Sequence, residues 1–238
     1  MPATPFLPVT HVFLGSIGAI AETSDIQRQA YNAALAEAGV GWSWDPATYA
    51  GLLGMVGGKE RLALLSGATN AGLTQETIER IHRRKTEIAC ARIRAEKTPL
   101  RPGVAHLVAL ALERRLTLAL VTTTARVNID AIADAAGSDL PLERFKTVVT
   151  RSDVTRGKPA PDCYHVALER TGAGPRGCIA LEDTASGVAA ARRAGIRTIA
   201  TPGALSKGQD VDDADLVLES LLDAEGRLEH SIFTLMFG

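Results

Sequence analysis

The sequence predicts a doubly wound parallel α/β core that is interrupted, after its first strand, by an all-helical insertion. Two observations carry that prediction. From Pro99 onward short apolar runs alternate with helical patterns across short connections, the rhythm of βαβ units, whereas residues 24–98 are helical in character throughout. An isolated apolar run at His11–Leu14 stands ahead of the insertion and has to join the same sheet from across it.

Taken in order, the first run stops at Gly15 and Gly18, as a buried strand entering a turn does. Ser24 with Gln27 three residues later predicts a capping box, opening a helix that Gly39 closes. Asp45 and Pro46 supply a cap residue and a first-turn proline for the next helix. Residues 74–97 read as one long, highly charged helix, with the basic run 80–85 on a solvated face and Trp42 and Trp44 packing the helical lobe. Strands then follow at 116–121, 145–150, 178–181, 196–200 and 216–218, alternating with helices at 127–136, 162–170 and 185–194, the last stopped by Gly195. The expected domains are residues 1–23 with 99–238, the α/β core, and residues 24–98, the helical cap.

A chain of 238 residues can bury a sizeable core with room for an insertion. Its 46% hydrophobic and 22% charged content is that of an ordinary soluble domain. A net charge of -1 provides no field for nucleic acid or an anionic membrane, so neither is an expected partner. The first ten residues hold three prolines and no basic residue, unlike a signal or transit peptide. No apolar run approaches the roughly 18 residues of a membrane span. Cys90, Cys163 and Cys178 lack C-x-x-C spacing, which argues against disulfides or zinc and for small buried thiols in a reducing cytoplasm.

In an open parallel sheet, ligands sit at the carboxyl ends of the strands, near the point where strand order reverses. Four segments end in residues suited to such a site: Gly15-Ser16-Ile17, Thr122-Thr123-Thr124, Lys158, and Glu182-Asp183. The Thr122 hydroxyl and the N–H groups after it suit a phosphate oxygen. Lys158 suits anionic charge as a point cation, and Asp183 with Glu182 suits Mg²⁺. His106 and His165 fall in helices and read as surface or packing residues.

Lys158-Pro159-Ala160-Pro161-Asp162 and Leu181-Glu182-Asp183 with Gly187, in this order behind a helical insertion, resemble the haloacid dehalogenase superfamily. The likeness is to its sugar-phosphate phosphatase and β-phosphoglucomutase-like branch. Gly57-Gly58-Lys59-Glu60-Arg61 and Leu100-Arg101-Pro102-Gly103-Val104 are further similar to the part of that branch that includes xylulose bisphosphate phosphatase. The resemblance implies that Thr122, Thr123 and Lys158 hold a phosphate, that Lys59 and Arg61 reach a distal phosphate from the cap, and that Asp183, aided by Glu182, holds Mg²⁺. It also implies a reaction in which an aspartate attacks phosphorus and the resulting acyl phosphate is hydrolysed.

The family's first motif, D-x-D-G-T-L-x-D/E-T, laid on this chain through Gly18, Ile20, Glu22 and Thr23, places Gly15 at the nucleophile and Ile17 at the general acid/base. Ala19 falls at the motif's threonine and Gln27 at the histidine that often follows in the cap. No carboxylate lies between Met1 and Glu22. Glycine has nothing to attack with, and Ile17 forfeits proton transfer, a contribution of roughly 10²–10⁴-fold. With one carboxylate ligand gone, Mg²⁺ is expected to be weakly held or absent unless a phosphorylated ligand adds oxygens. Ser16 is the hydroxyl left in the altered loop, a replacement nucleophile without a nearby base. The leading expectation is a family member without aspartate-based catalysis that binds a small phosphorylated metabolite or a protein partner. The alternatives are a working sugar-phosphate hydrolase with a rearranged site, using Ser16, an activated water or a cap residue, and a structural or interaction subunit. With the N-terminal aspartate missing, Lys158 is expected to pair with Asp183.

Overall fold

Strands that are apolar at nearly every position have to be covered on both faces, and the computed structural model meets that demand with one all-parallel sheet. It describes residues 7–15, 17–53, 57–69 and 72–238. The strands are β1 (His11–Leu14), β2 (Thr117–Val121), β3 (Thr147–Val149), β4 (Cys178–Glu182), β5 (Arg197–Ala200) and β6 (Leu216–Val217). They lie in the order β3-β2-β1-β4-β5-β6. The chain builds outward from β1 to β3, then crosses back to β4, so strand order reverses between β1 and β4, where Leu14 lies beside Leu181.

Side-chain alternation sends Val12, Leu14, Leu118, Leu120, Ile179 and Leu181 to one face. Helices α6 (Val104–Glu113), α7 (Arg126–Ala136) and α10 (His230–Phe237) cover that face through Leu107, Ile132 and Met236. Phe13, Ala119, Val121 and Ala180 point the other way, under α8 (Asp162–Thr171) and α9 (Ala185–Arg193). Helix α10 adds to the elements expected from sequence, and α6 gives bounds to the helix expected around His106. The expected strand at 145–150 contracts to Thr147–Val149 because Phe145 closes a preceding 3₁₀ turn, its N–H bonded to Leu142 O at 3.1 Å.

A single turn, α1 (Ile17–Ile20), follows β1, and then come α2 (Ser24–Glu37), α3 (Pro46–Leu53), α4 (Gly58–Thr69) and α5 (Gln75–Ala95). Asp45 caps α3 as expected, accepting from the N–H groups of Ala47 and Thr48 at 2.9 and 3.0 Å. The capping box at Ser24 does not form. Thr23 is the N-cap of α2 without a side-chain bond, and Gln27 turns inward, donating to Asn128 Oδ1 at 3.3 Å. Tyr31, Trp44, Tyr49, Leu62 and Ile81 make a separate apolar cluster among these helices, with Trp42 packed edge-on against Trp44 as the sequence suggests. Helix α5 belongs to both clusters: Ile78 and Ile81 face the insertion, while Cys90 and Ile93 pack with the sheet-side core. Among the described residues no helix is long and apolar enough to cross a membrane.

Gly103 sits at the return from the insertion with φ of +87°, and a Cβ there would stand 2.5 Å from Leu221 Cβ. Left-handed backbone and lost space add, so Gly103→Ala should cost about 2 kcal/mol or more. Urea melts at constant m-value check this; a loss below about 0.5 kcal/mol, the scale of an ordinary surface change, would show that the turn relaxes freely.

Candidate active site

The carboxyl ends of β1, β2 and β4 converge where strand order reverses, and a buried ion pair occupies that point. Lys158 Nζ stands 2.5 Å from Glu182 Oε1 and donates to Val121 O at 3.0 Å. The two side chains are 6% and 0% exposed, which leaves little of the pair in contact with water. Tyr164, from α8, donates its hydroxyl to the same Oε1 and lays its ring 5.2 Å from the ammonium. Lys158 therefore pairs with Glu182, in correction of the expected pairing with Asp183. Parity along β4 is the reason: Glu182 follows Cys178 and Ala180 onto the α8/α9 face, where the lysine arrives, and Asp183 lies one residue beyond the strand. Burial depresses the lysine, but the Glu182 charge and hydrogen bond outweigh it and hold the ammonium above its ordinary range.

Space around Glu182 is made by two glycines. A Cβ on Gly15 would overlap Leu181 O and Glu182 Oε1, and one on Gly187 would overlap Glu182 Oε2. Gly15 thus fits its place because the carboxylate of the neighbouring strand stands where its side chain would begin. Gly18 is constrained in the same way by Asp183, whose carboxylate a Cβ there would meet. Ser16 lies outside the described residues.

Thr122 is buried, 3% exposed, and its hydroxyl accepts from Thr124 N at 3.2 Å, which leaves the hydroxyl proton for an anion. Thr123 is partly exposed beside Gly157, on the Lys158 loop. Glu182 Oε1 bonds Lys158 and Tyr164, and Asp183, the other carboxylate expected to hold a metal, lies next to it just beyond the end of β4. Among the described residues no three His, Cys, Asp or Glu side chains converge. Asp183 by itself is at the lower end of the one or two carboxylates through which a protein, together with substrate phosphate, usually binds Mg²⁺.

Within the insertion, Lys59 reaches Glu79 at 3.5 Å in solvent, and Arg61 donates to the Tyr49 hydroxyl at 3.1 Å. The unforeseen residue is Lys85. Expected on a solvated face, it is 7% exposed, its ammonium 4.6 Å from the Tyr31 ring centroid. Burial first, and the Arg61 charge next, push it down to about 7. Burial and the neighbouring Lys85, Lys59 and Arg61 likewise push His82 down to about 4. The signal was present in the periodicity: Ile78, Ile81, Lys85 and Ala89 fall on one helical stripe. Tyr164 also escaped notice, since a tyrosine one helical turn into α8 reads as packing. His106 and His165 are exposed and the three cysteines buried, as expected.

The doubly wound sheet, with Thr122, Lys158, Glu182 and Asp183 at its switch point and a helical insertion after β1, is an α/β scaffold whose ligand cleft lies at the strand ends. The haloacid dehalogenase-like hydrolase family model matches residues 10–195, and the chain belongs to that family. It is 41% identical over 220 residues to Protein CbbY, plasmid, of Cupriavidus necator, covering 90% of this chain and 86% of that one. It is 38% identical over 198 residues to Protein CbbY of Rhodobacter capsulatus, covering 83% and 87%. A crystal structure of a CbbY mutant from Rhodobacter sphaeroides in complex with xylulose-(1,5)bisphosphate superposes with a TM-score of 0.81 at 34% identity, covering 92% of this chain and 99% of that one.

Two charge predictions follow from the two buried lysines. Glu182→Gln should destabilise by about 3–5 kcal/mol, because it strands a buried ammonium. In the wild type the pair's contribution is present below the unfolded lysine pKa of about 10.4 and is lost as pH rises through the higher folded value. Lys85 has the opposite sign. Its folded value lies below the unfolded one, so the unfolded chain binds the extra proton between pH of about 7 and about 10.4, and stability rises with pH there. Subtracting the pH profile of Lys85→Met from that of the wild type should isolate this rise; a flat difference would show Lys85 solvated.

Proposed function

We propose that this chain is a member of the sugar-phosphate phosphatase branch that has lost aspartyl-phosphate catalysis and retains the fold's capacity to bind a small phosphorylated metabolite. The observation that carries the reading is position 15. The nucleophile expected of the family is a glycine here, and the volume its side chain would enter is filled by the Glu182 carboxylate. The proton donor expected two residues later is Ile17. Loss of reagent and refilling of its space support a settled change of role better than a single lesion in a working enzyme.

Ligand binding is supported separately. Thr122 and Thr123 remain at the end of β2, and the insertion holds Lys85 and Arg61 near each other, with Lys85 buried and short of negative charge. A phosphorylated sugar of the kind bound by the CbbY mutant would bring that charge. The helices α2 to α5 would serve as its cap, with residues 1–23 and 99–238 as the core. Mg²⁺ would bind weakly and mainly through oxygens of the ligand, with Asp183 as its protein carboxylate.

Purified protein given xylulose 1,5-bisphosphate and Mg²⁺ should release negligible phosphate, while the sugar phosphate raises the melting temperature. Turnover comparable with that of intact relatives, abolished by Ser16→Ala or Asp183→Ala, would overturn the proposal. The pair Gly15→Asp and Ile17→Asp returns both missing groups. Because a Cβ at position 15 meets Leu181 O, a backbone atom, the double variant should lose about 1–3 kcal/mol of stability, as overpacked sites do. Phosphate release from it, absent in the wild type, would locate the defect in the first motif.

A further inference from the structure

A second cavity, of about 790 Å³, opens at the ends of β5 and β6, on the opposite side of β4 from the Thr122 loop. None of Gly15, Thr122, Lys158, Glu182 or Asp183 lines it. One wall is the return from the helical insertion, including Thr98, Leu100 and Pro102; the other comes from the loop after β5 and the end of β6, including Pro202, Gln209 and Leu218. Its size lies within the range of small-molecule sites.

Two of its lining residues carry buried polar atoms, the Thr98 hydroxyl and the Gln209 amide nitrogen, with no hydrogen-bond partner among the described residues. Thr98 is 8% exposed. The Gln209 oxygen is already used, accepting from Ala185 N at 2.9 Å, which fixes the amide so that the nitrogen is the open end. Buried donors left unmade are costly, and in native structures they generally mark a water or ligand position.

The charges in the walls narrow the ligand. Lys207 is paired with Glu219 at 3.0 Å, and Arg101 spends its guanidinium on carbonyls that include Gly18 O and Pro202 O, both at 3.3 Å. Glu22 accepts from Ala204 N and Ser24 N at 3.0 and 3.3 Å. Asp212 has no hydrogen-bond partner for its carboxylate among the described residues, and the lining carboxylates exceed the cations by one: Glu22, Asp212 and Glu219 against Arg101 and Lys207. An anion is therefore disfavoured. The proline rings and Leu100 and Leu218 offer flat apolar contact, Gln209 offers a donor, and Asp212 offers an acceptor for hydroxyl groups. An acidic side chain at the carboxyl edge of a parallel sheet is well suited to a ribose diol.

We propose that this hinge cavity is a binding site for an uncharged nucleoside, with the base between the proline and leucine walls, a base carbonyl or ring nitrogen on the Gln209 amide, a second base heteroatom on the Thr98 hydroxyl, and the ribose hydroxyls on Asp212. The site is independent of the sugar-phosphate reading, and because Thr98–Pro102 is the covalent return from the insertion, occupancy would brace the insertion against the sheet.

Isothermal titration of the full chain with adenosine, guanosine, cytidine and uridine tests it. At least one should bind with a dissociation constant below about 1 mM, and its 5′-monophosphate should bind more weakly. Thr98→Val keeps the shape and removes the hydroxyl; Gln209→Glu keeps the oxygen acceptor and removes the donor. Each should weaken binding about fivefold or more, the worth of one net hydrogen bond. Should either variant fail to fold, Asp212→Asn, at an exposed side chain, supplies the same comparison. Failure of all four nucleosides to bind, unchanged affinity in folded variants, or tighter binding of the monophosphate would each overturn the proposal. None of these outcomes depends on phosphate release or on the Lys158 cleft.

Discussion

Lys158 and Glu182 can leave water only together, and most of what surrounds the switch point serves that requirement. Removing two ions from solvent costs several kcal/mol each, which a close, hydrogen-bonded contact offsets. The contact here has three supports: Glu182 from the end of β4, Lys158 from the loop before α8, and the Tyr164 hydroxyl from α8 itself. A carbonyl at the end of β2, Val121 O, takes another proton of the ammonium. Strands β2 and β4, helix α8 and its preceding loop are thereby tied at one buried point between the reversing halves of the sheet.

The same contact explains the glycines beside it. Positions 15 and 187 approach the Glu182 carboxylate so closely that neither tolerates a Cβ without movement. Chemistry and packing at position 15 are therefore one fact. A side chain there and the present placement of Glu182 compete for a single volume, so none can be introduced without redistributing the ion pair. Coupling to the insertion runs through other parts. Helix α5 belongs to both apolar clusters, Arg94 pairs with Asp134 of α7 at 2.8 Å, and Arg101 anchors the returning segment to carbonyls of the α1 turn and the loop after β5.

How far the sequence disclosed this follows from what each signal measures. Interior strands such as Thr117–Val121 and Cys178–Glu182 were legible because burial on both faces makes them apolar runs, and the edge strands less so because packing on one side trims them. Gly15 and Ile17 at the positions of the family's aspartates were legible because they are residue identities. The partner of Lys158 was not, since charge counting treats Glu182 and Asp183 alike, whereas strand parity separates them. Gln27 misled for a related reason: a capping pattern counts spacing, and a competing partner at Asn128, 101 residues on, won the side chain. The hinge cavity had no sequence signal, because its walls come from segments a hundred residues apart.

Lys85 and Lys158 differ in the charge placed beside them. Both ammonium groups are buried beneath a tyrosine ring, at 4.6 and 5.2 Å, and burial is the leading influence on each. Cation–π contact is worth ~0.5–2 kcal/mol, too little to replace hydration in either case. What separates them is the carboxylate. Glu182 keeps one lysine charged, and a neighbouring guanidinium, Arg61, drives the other toward neutrality. The core lysine is thus complete as it stands, while the lysine of the insertion is stabilised by whatever negative charge is brought to it. The finished ion pair in the sheet and the unbalanced cation in the helical insertion thus differ in the carboxylate beside them and not in burial.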